Sequence, residues 1–206
     1  MALSPDQAGT GPAASASNRP SRYAVWLLML FVFLVYNSNL RYLYTGDTIP
    51  ARVLPFALLV DGHLWVDDWV TPFLAPYVGG AIQEGTYFLT PARGHWMSSY
   101  PILTPLVVTP LYAPAAWWVG RHRALAAESF VFIAQAMEKL SAAALAAISA
   151  GLLYAALRKL LAPRAALVLA LVYALASNTW ALSSQALWTT ALSQIAFALL
   201  LWALVS

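Results

Sequence analysis

The stretch L-S-A-A-A-L-A-A-I-S-A-G-L-L-Y-A-A-L at 140–157 contains no charged residue. It is continuously apolar rather than alternating, which is the pattern of a helix buried on all sides or in lipid. A hydrocarbon core about 30 Å thick is crossed by roughly 20 such residues at 1.5 Å rise each. Charge is also absent from 23–40, 94–120 and 165–206. The first of these is about one span long. The last is about two spans long, with polar breaks at Ser177-Asn178-Thr179 and Ser183-Ser184-Gln185. Only helices or closed barrels satisfy the backbone in lipid, and the runs are helical in kind.

Composition agrees. The chain has 206 residues, 61% hydrophobic and 9% charged. Soluble domains carry roughly a quarter charged residues, so this chain cannot cover a water-facing surface. A soluble globular domain, a disordered chain and a coiled coil are excluded. The net charge of +3 is modest and the basic residues are scattered, so nucleic acid is not an expected partner. The absence of cysteine excludes disulfides, thiolate metal sites and cysteine nucleophiles. The expected fold is an all-α polytopic membrane protein with four to five transmembrane helices and a long first external loop containing interfacial helices.

Residues 1–22 are rich in Ala, Ser, Gly and Pro and read as a disordered cytoplasmic tail. Residues 23–206 form the membrane domain. No small-residue cleavage site follows the run from Tyr23 to Tyr36, so it reads as an uncleaved first span with its N-terminus inside. The external loop covers about 41–136. Its part 41–100 holds Asp47, Asp61, Asp67, Asp68 and Glu84, five of the chain's eight acids. Within it R-V-L-P-F-A-L-L-V (52–60) has Val53, Phe56, Leu59 and Val60 at helical spacing, after Pro50. This is expected to be an amphipathic helix on the outer membrane surface. Trp65, Trp69 and Tyr77 are the residue types that settle at such an interface.

Residues 101–119 are apolar but interrupted by Pro101, Pro105, Pro110 and Pro114. If they span, Arg158, Lys159 and Arg164 fall outside. If they are re-entrant or surface-lying, only Arg121 and Arg123 do. The positive-inside rule favours the second topology, with spans at 23–40, 137–157, 165–181 and 187–206. The five-span alternative stays open. Either makes the chain a multi-pass membrane protein with its N-terminus in the cytoplasm.

Three places in this frame have chemical potential. Asp47, in Thr45-Gly46-Asp47-Thr48 just after the first span, is a carboxylate at the membrane surface. It has the makings of a general base, or of an ordinary turn and cap residue. His95 to Pro101 (H-W-M-S-S-Y-P) puts hydroxyls and an imidazole ahead of an apolar helix, suited to a phosphate or to plain capping. Glu138-Lys139 is an ionisable pair at the edge of a span, either functional or with Lys139 snorkelling to the headgroups. His63 and His95 are too few and too separated for a metal site.

The order Gly46-Asp47, S-S-Y-P (98–101), E-K-L-S-A (138–142) and S-S-Q-A-L-W (183–188) resembles the bacterial GT-C glycosyltransferases. These are polytopic enzymes related to protein mannosyltransferases and aminoarabinose transferases. The resemblance runs from about residue 23 to the end. It implies transfer of a sugar from a polyprenyl-phosphate donor to an acceptor on the outer face of the membrane. By position, Asp47 would be the acidic residue of the first loop that serves as catalytic base or orients the acceptor. Ser99, Tyr100, Lys139 and Gln185 would bind substrate. No cofactor is required by the resemblance, and a divalent cation is compatible with it.

Departures from the pattern are specific. Asp47 has Gly46 and Thr48 beside it rather than a second acid. Pro101 stands alone, Lys139 replaces the usual Arg, and Thr189-Thr190-Ala191 follows Trp188 with no His. Family members are longer, so the chain is expected to be an N-terminal module, either a truncated gene product or one half of a split protein whose missing spans come from a partner membrane chain. The rival reading is a non-catalytic membrane subunit that binds lipid or a partner membrane protein.

Overall fold

The computed structural model describes residues 22–39, 41–74 and 86–206. The expected tail at 1–21, Tyr77 and Glu84 lie outside them. The described chain is mostly helical. Its α-helices are α1 (Arg22–Ser38), α2 (Ile49–Phe56), α3 (Asp67–Val70), α4 (Leu103–Arg121), α5 (Ala127–Leu160), α6 (Pro163–Leu175) and α7 (Thr190–Leu204). A single hairpin, β1 (Leu89–Ala92) and β2 (His95–Ser98), was not anticipated. Its two-residue turn has positive φ at both positions, 54° at Arg93 and 83° at Gly94, the mirror-image turn that matches strand twist.

α5 organises the molecule. It runs 34 residues, about 50 Å at 1.5 Å rise, and starts ten residues before the expected 137. Among the described residues it is the one helix long and apolar enough to cross a membrane. Its second half packs against α1, α6 and α7. The Tyr36 hydroxyl donates to Ala174 O at 2.9 Å, which places the C-terminal ends of α1 and α6 together. Lys159 reaches Ser206 and lies over the Trp202 ring at the end of α7. Thus α1 and α6 run one way, and α5 and α7 the other. The seam is made of small residues, Ala143, Ala146, Ala147 and Ala150, packed with Leu28, Val32 and Tyr36. At Gly151 an added Cβ would lie 2.3 Å from Met29 Cε, so the Met29 side chain packs directly on the α5 backbone there.

Large apolar side chains face outward from this bundle. Trp26 is 67% exposed, Phe31 50%, Val168 58% and Phe197 70%. Soluble monomers do not normally leave such residues in contiguous patches.

The first half of α5 carries a second layer built by α2, α3, α4 and the hairpin. Pro50 sits in the first turn of α2, where no backbone N–H is needed. Pro55 lies inside the helix and removes one hydrogen bond, and the helix then widens into a π turn over Ala57–Asp61. Gly62, at φ 77°, closes it in the left-handed region. The core of this layer is aromatic. Phe56 meets Tyr112 at 5.2 Å and Phe130 at 5.3 Å, both edge-on, and stacks on Trp69 at 5.9 Å. Such edge contacts contribute about 0.5–1.5 kcal/mol each beyond the area they bury.

The expected surface-lying amphipathic helix is corrected here. The helix exists, but Arg52, Val53, Leu54, Pro55 and Phe56 are all buried between α4 and α5. Trp69 is half-buried rather than displayed at an interface. Residues 103–121 fold as one helix in spite of three prolines, with Pro101 just ahead of it. Pro105 falls in its first turn, and the Thr109 hydroxyl bonds Pro105 O at 2.8 Å. α4 packs on α2, on the π turn and on α5, not into the bundle of α1, α6 and α7.

Candidate functional site

Thr45 starts the approach to α2. Its hydroxyl accepts from Asp47 N at 3.4 Å, which opens a turn of 3-10 helix, Gly46–Thr48. Gly46 has no room for a side chain: a Cβ there would lie 2.6 Å from the Tyr87 hydroxyl oxygen. The turn leaves Asp47 half-buried and aimed across the chain. The Tyr100 hydroxyl donates to Asp47 Oδ1 at 2.8 Å, joining two residues 53 positions apart. Burial, with the hydrogen bond to the Asp47 carboxylate beside it, pushes the Tyr100 phenol up to about 12. Tyr100 is therefore a standing donor at neutral pH. Asp47 Oδ2 has no hydrogen bond among the described residues.

These two residues open on a cavity of about 150 Å³ whose other walls include Thr48, Thr104, Trp188 and Thr189. The buried indole N–H of Trp188 has no hydrogen-bond partner among the described residues. The site thus offers a carboxylate oxygen, a phenol and threonine hydroxyls, with the Trp188 ring as part of the wall. Thr48, Trp188 and Thr189 were not singled out in the sequence reading.

The other expected site residues go elsewhere. Ser99 is exposed, and its hydroxyl pairs with Thr90 Oγ1 at 2.8 Å beside the hairpin. Lys139 and Gln185 do meet, but each is taken by the other. Lys139 Nζ donates to Gln185 Oε1 at 2.6 Å and to Ser184 O at 3.1 Å. Lys139 is 8% exposed, so it does not snorkel outward. Gln185 Nε2 donates to Trp180 O at 3.0 Å and Ser184 Oγ at 2.9 Å.

Glu138 makes the partnership that sequence reasoning missed. Its Oε2 takes Arg52 Nε in an ion pair that is fully buried on both sides. Its Oε1 accepts Leu187 N at 3.1 Å. Arg52 Nη1 has no hydrogen-bond partner among the described residues, while its guanidinium lies 5.0 Å from the Phe73 ring centre and 5.6 Å from that of Tyr44. Two neighbours on α5 therefore grip the segment 184–187, Glu138 by its N–H and Lys139 by its carbonyl. That segment leads into Trp188 and Thr189 in the cavity wall. A signal was present: Arg52 is the only charge in 48–60, and Glu138 and Lys139 are the only charges in 129–157. A lone buried charge needs an opposite partner.

His63 and His95 are brought to the two faces of Trp65, with ring centres 4.3 and 4.5 Å away. His95 Nδ1 lies 3.1 Å from Asp67 Oδ2. Among the described residues no group of three or more His, Cys, Asp or Glu side chains is placed to hold a metal ion. No family model, curated protein or solved structure matches the chain.

Proposed function

We propose that this chain is a GT-C-type membrane glycosyltransferase, or the N-terminal module of one, moving a sugar from a polyprenyl-phosphate donor to an acceptor at the outer face of the membrane. The observation that carries the reading is the contact of Tyr100 with Asp47 at the mouth of a small cavity. Tyr100 occupies one carboxylate oxygen and fixes the group's orientation. The other oxygen takes the proton as the acceptor's oxygen or nitrogen attacks the anomeric carbon. The bond from that carbon to the phosphate oxygen breaks, and the polyprenyl phosphate leaves with the electron pair. The threonine hydroxyls supply donors for charge developing on the leaving oxygen. Lys139 and Gln185 act through the segment that carries Trp188, not as direct phosphate ligands.

In this reading α1, α5, α6 and α7 cross the bilayer and α4 does not. Support comes from the antiparallel arrangement of those four helices and their outward apolar faces. Arg158, Lys159 and Arg164 cluster at the end where α5 passes into α6, which becomes the cytoplasmic side.

The test is transfer from polyprenyl-phosphate sugars by the protein in lipid nanodiscs, with Asp47→Asn and Tyr100→Phe alongside. Loss of a general base lowers turnover by about 10²–10⁴-fold. Donor binding should persist in the Asn variant, because a negative charge near the phosphate has been removed. Donor binding without transfer in the unmodified protein would favour the non-catalytic subunit and overturn the assignment.

A further inference from the structure

A second cavity, of about 280 Å³, opens at the far end of the outer layer. Its walls come from the π turn after α2, from α3, from the α4–α5 connection and from the start of α5. Asp47 and Asp61 stand at opposite ends of one helical run, roughly 20 Å apart at 1.5 Å per residue. This cavity is therefore separate from the Asp47–Tyr100 site.

Asp61 builds the walls and is used up in doing so. Its Oδ1 accepts Arg123 Nη2 at 2.7 Å, and its Oδ2 accepts Trp69 Nε1 at 2.7 Å. Arg123 and Trp69 are thereby held in place, with Trp69 5.3 Å from the Phe130 ring centre. Other groups are left over. Asp68 has no hydrogen bond or ion pair among the described residues. His122 Nδ1 lies 2.8 Å from Trp118 O, and its ring stacks on Trp118 at 4.5 Å. A carbonyl can only accept, so Nδ1 carries the proton and Nε2 is left as an acceptor. The remaining N–H groups of Arg123 are donors.

The cavity thus combines acceptors at Asp68 and His122, donors at Arg123, and an apolar wall of Trp69 and Phe130. An anion would meet the unpaired Asp68 carboxylate, and a small cation would leave the Arg123 donors and the Trp69–Phe130 wall unmatched. A purely apolar ligand would desolvate Asp68 without replacing its hydrogen bonds. A neutral ring with hydroxyls on its edge and C–H groups on its face satisfies every wall. We infer that this cavity binds a sugar ring of a carbohydrate on the outer side of the membrane. Sugar binding itself does not need the transferase reading, but the side of the membrane rests on the four-span topology proposed above.

Saturation-transfer NMR on the protein in nanodiscs tests it, with glucose, galactose, mannose and N-acetylglucosamine as probes. At least one should receive saturation on its ring C–H protons. Asp68→Asn and His122→Gln should each weaken that sugar's binding about tenfold, the effect of one hydrogen bond to a charged or strongly polar group. Asp68 is exposed and unpartnered, so its replacement leaves the melting curve unchanged. Asp47→Asn should leave sugar binding unchanged even where it abolishes transfer. Absence of saturation for all four sugars would overturn the proposal, and so would binding that neither Asp68→Asn nor His122→Gln alters.

Discussion

Replacing Glu138 by Gln isolates the charge of the buried pair. Gln is nearly the same shape and still offers an oxygen to Leu187 N, so the grip on the 184–187 segment survives. The anion that compensates Arg52 does not. Arg52 is 0% exposed and already has one amino group without a hydrogen-bond partner among the described residues, so no water is at hand to take over. Breaking a buried pair by neutralising one member costs about 3–5 kcal/mol, because the other charge stays behind unpaired. For a chain of this size each kcal/mol moves the midpoint about 2–4 °C, so Glu138→Gln should melt about 6–20 °C lower. Arg52→Met together with Glu138→Gln removes both charges and should recover most of that loss. The assay is thermal unfolding in detergent followed by intrinsic fluorescence from the chain's nine tryptophans. A Glu138→Gln midpoint within about 1 °C of the parent would refute the reasoning, which rests on a desolvated pair. So would a double variant that melts lower than Glu138→Gln alone.

Gly151→Leu should destabilise by about 1–3 kcal/mol in the same melting assay, since the new side chain enters space filled by Met29. Cysteines introduced at Ser98 and Ala162 in this cysteine-free chain should label from opposite sides of the membrane, and labelling of both from one side would sink the four-span topology. Asp61 supplies a pH dependence. Burial pushes its carboxyl up, but hydrogen bonds from Arg123 and Trp69 outweigh this and hold it below the usual carboxylate value. A depressed carboxylate adds stability above its unfolded value of 3.8 that is lost as pH falls further. Acid titration of the melting point should therefore fall less steeply below pH 4, roughly the unfolded carboxylate range, in Asp61→Asn than in the parent.

Much of the helical skeleton was legible in the chain itself. The charge-free runs at 23–40, 140–157 and 165–206 carry α1, most of α5, and α6 with α7, and the polar break at 177–185 is where the last run divides. They were readable because backbone satisfaction in an apolar surrounding is a local demand, met within each segment. The helix over 52–60 was readable for the same reason, since a 3.6-residue period needs only neighbours. Its placement was not. Arg52 looked like the polar face of a surface helix until Glu138, 86 residues away, was set against it. Asp47 was singled out by its position after the first span, but its partner Tyr100 and the cavity wall from Trp188 are joined only by folding. Lys139 and Gln185 were chosen to meet a ligand and instead meet each other. Composition and periodicity report what each segment can bury. Which charge neutralises which, and which oxygen stays unbonded to do chemistry, depends on contacts across tens of residues, and these were decided by the packing of α2 and α4 on α5.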